Sequence, residues 1–270
     1  MRLKVGEVEV ASYVVRPDLD VRLGPRPYLH PVRTLGGTVV TDALCFDHPW
    51  HLGASVALAD VGGANLWGGR TYVRGTGYTW RDDHGHVAHT DWLPSDDGFA
   101  ELLTWFGPAG QTLLTERRHV TAAPAPHGWL LSVEYALAAP ADRAITIGSP
   151  ATNGRSGGAG YGGFFWRAAP GAATAFTASL DAAEAVNGSA EPWVALTVSD
   201  AYTLVFRGLS GDDRWFVRTA DYVGVCAALA FDHPLIVPAG ATVSRRLSVL
   251  VADGALNRDQ CGDDGNGSDR

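Results

Sequence analysis

Three polar-aromatic blocks hold the side chains best suited to chemistry. The densest reads Arg26-Pro27-Tyr28-Leu29-His30-Pro31-Val32-Arg33, then Asp47-His48-Pro49-Trp50-His51, then Asn65-Leu66-Trp67. Pro49 disfavours helix at His48 and biases it toward β or polyproline geometry. Three residues complete one polyproline turn, so His48 and His51 are expected on one side and Trp50 on another. Two imidazoles on one face could shuttle protons, hydrogen-bond to hydroxyls or bind a metal. A metal site needs a third ligand, for which His30 and Glu116 are candidates, although no spacing selects either. No resident cofactor is expected, with a metal ion as the open alternative.

The second block is the strand-like run Gln111–Val120. On alternation, Leu114, Glu116, Arg118 and Val120 share one face, and Leu113, Thr115, Arg117 and His119 the other. A carboxylate on a half-buried face is costly unless paired. Glu116 is therefore either half of a structural ion pair with an arginine or a general acid or base of shifted pKa. The third block runs from Ser149 through Asn153, Gly154 and Arg155 to Tyr161, Trp166 and Arg167. Arg167 could clamp a carboxylate or a diol, or simply stack on its aromatic neighbours. The glycines here make neither a phosphate loop nor a dinucleotide fingerprint, and no nucleophile elbow is present.

The elements that must position these side chains are strands. Trp129, Leu131, Val133, Tyr135 and Leu137 alternate along one run, and Val243, Leu247, Val249 and Val251 along another. Further runs are Ser55–Leu58, Phe99–Phe106, Ala144–Gly148, Trp193–Val198, Thr203–Arg207 and Val225–Phe231. Turn residues separate them, and Ser179–Val186 is the best helix candidate. Short strands with almost no helix predict an all-β antiparallel sandwich or barrel. One domain over residues 1–253 is expected, followed by a polar, disordered tail over residues 254–270.

Composition narrows the partners. The net charge of -8 argues against nucleic acid and anionic membranes, which need basic surfaces. No apolar stretch reaches about 18 residues, and the N-terminal stretch lacks the apolar centre of a signal peptide. The three cysteines, Cys45, Cys226 and Cys261, form no pairing pattern, which suits a reducing compartment and a cytoplasmic location. Cys45 and Cys226 are expected in the core and Cys261 in the polar tail. Nine tryptophans in 270 residues are many; most belong to packing, and two or three suit the C–H faces of a sugar.

The blocks HPVRTLGGTVVTD, DHPWHLG, DVGGANLWGG, TNGR, GYGGFFWR and VADG resemble those of the PmoA-like family of soluble bacterial proteins. The resemblance extends to about Gly254 and implies a sandwich of the galactose-mutarotase-like supersandwich architecture with a small-molecule carbohydrate ligand. It carries over His30, Arg33, His48, His51, Asn65, Trp67, Arg155 and Arg167; Glu116 rests on the strand pattern alone. The expected activity is that of a carbohydrate-active enzyme on a sugar or oxidised sugar: a mutarotase, an epimerase, or an enzyme cleaving glycosides as a lyase or glycosidase. His48, His51 and Glu116 would be catalytic, with His30, Arg33, Asn65, Trp67, Arg155 and Arg167 binding substrate. The alternatives are a non-catalytic carbohydrate-binding or sensor protein and a metal-dependent sugar enzyme.

Overall fold

A computed structural model describes residues 1–263. The chain is an all-β antiparallel sandwich of two large sheets. One has seven strands, in spatial order Arg2–Val5, Val8–Val14, Tyr28–Val32, Ala54–Ala57, Gly163–Arg167, Gly224–Ala228 and Arg214–Arg218. The other has eight, and its centre is the strand Gly128–Ala138 between Thr112–Ala125 and Thr242–Asp253. Among the described residues, no helix is long and apolar enough to cross a membrane.

Alternation sets the inside of the sandwich. Trp129, Leu131, Val133, Tyr135 and Leu137 are buried, while the residues between them are half-buried. They meet Val10, Leu29, Val56, Phe164 and Trp166 of the seven-stranded sheet in one apolar core. Trp166 also donates its indole N–H to the Val40 carbonyl at 3.0 Å, as a buried indole requires.

The outward face of the seven-stranded sheet is covered as well. Phe165, one residue from Phe164 and Trp166, points away from the sandwich core. It packs with Trp67, Phe216, Cys226 and Phe231 in a second apolar cluster. Loops crossing this face bury it, and the histidine-rich segment lies among them.

Three expectations are corrected. Residues 254–263 are ordered: Asn257 caps the helix Arg258–Gly262, with Gln260 bonding back to the cap's own N–H. That reciprocal capping box satisfies two otherwise orphaned donors. It also buries Cys261 against Trp193 and Leu250, so this cysteine is a core residue like the other two. The rest of the expected tail, residues 264–270, lies outside the described residues. The helix expected at Ser179–Val186 is confined to Ala183–Val186, one turn.

Candidate functional site

The site is assembled on the covered outer face of the seven-stranded sheet by a buried arginine and two tight turns. Arg26 is wholly buried. It donates to the Ser55 hydroxyl at 3.0 Å and to the carbonyls of Gly24 at 2.8 Å, Trp67 at 3.0 Å and Trp50 at 3.1 Å. One planar fork thus ties the two tryptophan-bearing loops together. Asn65 shapes the second loop: its side-chain oxygen accepts from the Trp67 and Gly68 N–H groups at 3.0 and 2.9 Å. Gly69 follows at φ +71, where an added Cβ would sit 2.6 Å from the Trp50 ring. The glycine lets that indole lie flat against the backbone.

These loops enclose a cavity of about 400 Å³, within the usual range of small-molecule sites. Its walls are aromatic: Trp50, Trp67, Trp80, Tyr161, Phe216 and Tyr222. His48 and His51 reach it from one side, their rings stacked at 4.7 Å and 13°. Trp50 stands edge-on to both. A wider groove of about 580 Å³ lies over the eight-stranded sheet. Two of its three arginines are paired, Arg246 with Glu134 at 2.9 Å and Arg245 with Asp213 at 2.8 Å.

The hydrogen bonds assign opposite roles to the two imidazoles. His48 Nδ1 lies 2.7 Å from an Asp47 carboxylate oxygen. Partial burial pushes the Asp47 carboxyl up, but bonds from His48 and Arg167 outweigh it and bring it down to about 2. An ionised carboxylate only accepts, so His48 carries a proton on Nδ1, and the neutral ring presents its lone pair at Nε2. His51 is the reverse. Arg167 reaches its Nδ1 at 3.1 Å, and a guanidinium only donates. His51 therefore carries its proton on Nε2. Arg167 also holds both Asp47 oxygens at 3.1 Å and lies 5.0 Å over the Tyr222 ring. Burial pushes the Tyr222 and Tyr161 phenols up, which keeps both as neutral donors.

His51 is held well below the ordinary imidazole range. Burial is the main cause, and His48, Arg167 and Arg26 each oppose a further positive charge. In the unfolded chain the same ring takes up a proton near pH 6.5. Below that pH the unfolded state binds more protons than the folded one, so stability falls as pH falls. For one proton the slope approaches about 1.4 kcal/mol per pH unit. Urea unfolding of wild type and His51→Gln between pH 5 and 7.5 should show this slope in the wild type and its loss in the variant. Equal slopes would contradict a buried neutral His51.

Of the residues expected at the site, His48, His51, Trp67 and Arg155 line the cavity. Arg167 sits behind it, holding Asp47 and His51. Four others do not belong to the lining. Asn65 is committed to its turn. His30 bonds the Thr41 hydroxyl at 3.0 Å, and Arg33 reaches only the Gly37 carbonyl, at 3.3 Å. Glu116 is the main correction. Its carboxylate lies in the sandwich core, accepting from Arg118 at 2.7 and 3.0 Å and from the Trp105 indole at 2.8 Å. The seven-stranded sheet stands between it and the histidines, so it cannot serve them as a base. With His30 and Glu116 elsewhere, neither candidate third metal ligand stands beside His48 and His51. Among the described residues, no group of three His, Cys, Asp or Glu converges as a metal centre would require.

The residues missed by sequence reasoning are Asp47, Arg70, Tyr78, Trp80, Arg218 and Tyr222. Asp47 stands next to His48, and that adjacency was the available signal. Tyr78 lies in, and Trp80 just after, the small hairpin Thr71–Val73 and Gly77–Thr79, and Arg218 and Tyr222 stand at the connection of the hairpin Arg214–Arg218 and Gly224–Ala228, far from the histidines in sequence. Nothing local marks them.

The model of a family described as a family of unknown function (DUF6807) matches residues 1–263. No curated protein matches the chain. Among solved structures, heparan sulfate lyase HepC from Pedobacter heparinus and a mutant of it are similar at 12% identity, with TM-scores of 0.28 and 0.29. Each match covers 64% of this chain, which spans 22% of the lyase chain. Similarity this low says nothing about activity.

Proposed function

The chain belongs to the DUF6807 family, whose function is unknown, and we propose that it is a carbohydrate-active enzyme that moves protons on a sugar ring, with His48 as the base. The observation that carries this reading is the pair of stacked imidazoles in opposite tautomers at an aromatic cavity. A sugar's C–H face suits the indole and phenol walls. His48 Nε2 would accept a proton from carbon or oxygen, and Asp47 would stabilise the resulting imidazolium. His51 Nε2–H, with its tautomer set by Arg167, would donate a hydrogen bond to an oxygen on which charge develops.

One base with a fixed donor suits mutarotation, epimerisation or elimination-type cleavage better than hydrolysis. Hydrolytic glycosidases generally use two carboxylates flanking the bond. Among the described residues, Asp221 is the one carboxylate in the lining.

The test is proton NMR in deuterated buffer on a panel of aldoses, uronates and their glycosides. The expected result is faster anomeric interconversion, C–H exchange or new unsaturated product. Saturable binding without any turnover, insensitive to pH, would overturn the enzyme reading in favour of a sugar-binding protein.

A further inference from the structure

We infer that the ligand of this cavity carries a negative charge, held by Arg70, Arg155 and Arg218; the inference rests on the carbohydrate reading above and adds an acidic group to the sugar. All three arginines line the cavity. Elsewhere Arg2, Arg22, Arg81, Arg118, Arg245 and Arg258 each face an Asp or Glu, whereas the other arginines without such a partner among the described residues, such as Arg16, Arg33, Arg74 and Arg117, do not line this cavity. Among the described residues, none of the three cavity arginines has such a partner.

Two of them are fixed by neutral groups instead. Arg218 stands 4.3 Å over the Phe216 ring and donates to the carbonyls of Val217 at 2.8 Å and Gly158 at 3.2 Å. Arg155 stands 4.8 Å over the Tyr78 ring and donates to the Tyr78 hydroxyl. Tyr78 in turn bonds the Tyr161 hydroxyl at 2.9 Å, which locks this wall. Arg70 is exposed and makes no hydrogen bond within the described residues. Stacking and carbonyl contacts orient a guanidinium without neutralising it, so charge-assisted donors remain available to a ligand. Asp221 lies outside ion-pair distance of all three, and the lining keeps an excess of positive charge in a chain whose net charge is -8.

The shared chemistry is an anionic oxygen group on a sugar, a carboxylate or a phosphate. A planar fork favours bidentate contact with either. Isothermal titration at low salt with D-glucuronate, D-glucose 6-phosphate, D-glucose and sodium sulfate separates the possibilities. An acidic sugar should bind about tenfold to a hundredfold more tightly than glucose, the increment expected of charge-assisted hydrogen bonds. Tighter binding of glucuronate assigns a carboxylate, and tighter binding of the phosphate ester assigns a phosphoryl group. Arg218→Gln and Arg155→Gln should each weaken binding of the acidic sugar by far more than binding of glucose, so that the preference shrinks.

Glucose binding as tightly as both acidic sugars would overturn the anionic subsite and leave the carbohydrate reading standing. So would a preference that survives both substitutions. Sulfate binding as tightly as the best acidic sugar, with glucose not binding, would overturn the sugar assignment itself.

Discussion

Replacing His48 by Ala should lower turnover by about a hundredfold to ten-thousandfold, the usual contribution of a positioned proton-transfer group. The folded state should persist, because His48 is half-buried at the cavity rim and not in the core. Asp47→Asn is the sharper test of mechanism. It keeps the size of the side chain but removes the charge that fixes the His48 proton on Nδ1. The amide can present its N–H₂ group to Nδ1 and move the ring proton to Nε2, where the lone pair is needed. Turnover should fall with substrate affinity little changed, and the acid-side limb of the pH–rate profile should shift down as the imidazolium loses its partner. An Asp47→Asn protein with wild-type turnover and an unshifted profile would remove His48 from the role of base.

Glu116→Ala should destabilise the fold by about 3–5 kcal/mol, the usual cost of breaking a buried ion pair from one side. Arg118 would lose its bidentate partner and keep the more distant Glu101, at 3.8 Å, and the Tyr13 hydroxyl. Burial works against its charge, and in the native fold Glu116, Tyr13 and Glu101 outweigh that penalty. The surrounding network is wholly interior. Tyr13 donates to Glu101, Arg118 donates to the Tyr13 hydroxyl at 2.9 Å, and His89 Nδ1 meets Glu101 at 2.7 Å. Removing both ends, as in Glu116→Leu with Arg118→Met, should recover much of the loss, since an apolar pair requires no charge compensation. Urea denaturation measures both proteins. Turnover per folded molecule should not change in the single variant, because Glu116 lies across a sheet from the cavity. A large loss of turnover in fully folded Glu116→Ala would return this residue to the active site.

Glu116 shows how far the strand pattern could be read. Alternation placed it correctly on a buried face with Arg118. It could not say what the other sheet presents to that face, because strand period is a local property and sheet packing is not. Of the two readings left open, the structural ion pair is the one observed. The histidine segment differs because its information is short-range. The rings do share one side, with His48 stacked on His51, but the polyproline geometry expected there does not form: the His51 N–H donates to the His48 carbonyl at 2.9 Å, and this closed turn sets the stack. Its hydrogen-bond partners were only half visible: Asp47 is adjacent, whereas Arg167 arrives from a strand 120 residues away.

The sequence by itself determined the long alternating strands such as Gly128–Ala138, their apolar faces and the block that carries the imidazoles, because period-two burial acts over a few residues. Only the tertiary structure decided which candidates meet. It put Glu116 inside the sandwich and Arg167 behind His51. It also brought Arg70, Arg155 and Arg218 to one cavity from three separate segments. Pairing between strands far apart in the chain sets those distances, and the partners it delivers, Asp47 beside His48 and Arg167 beside His51, set which ring nitrogen of each imidazole carries the proton.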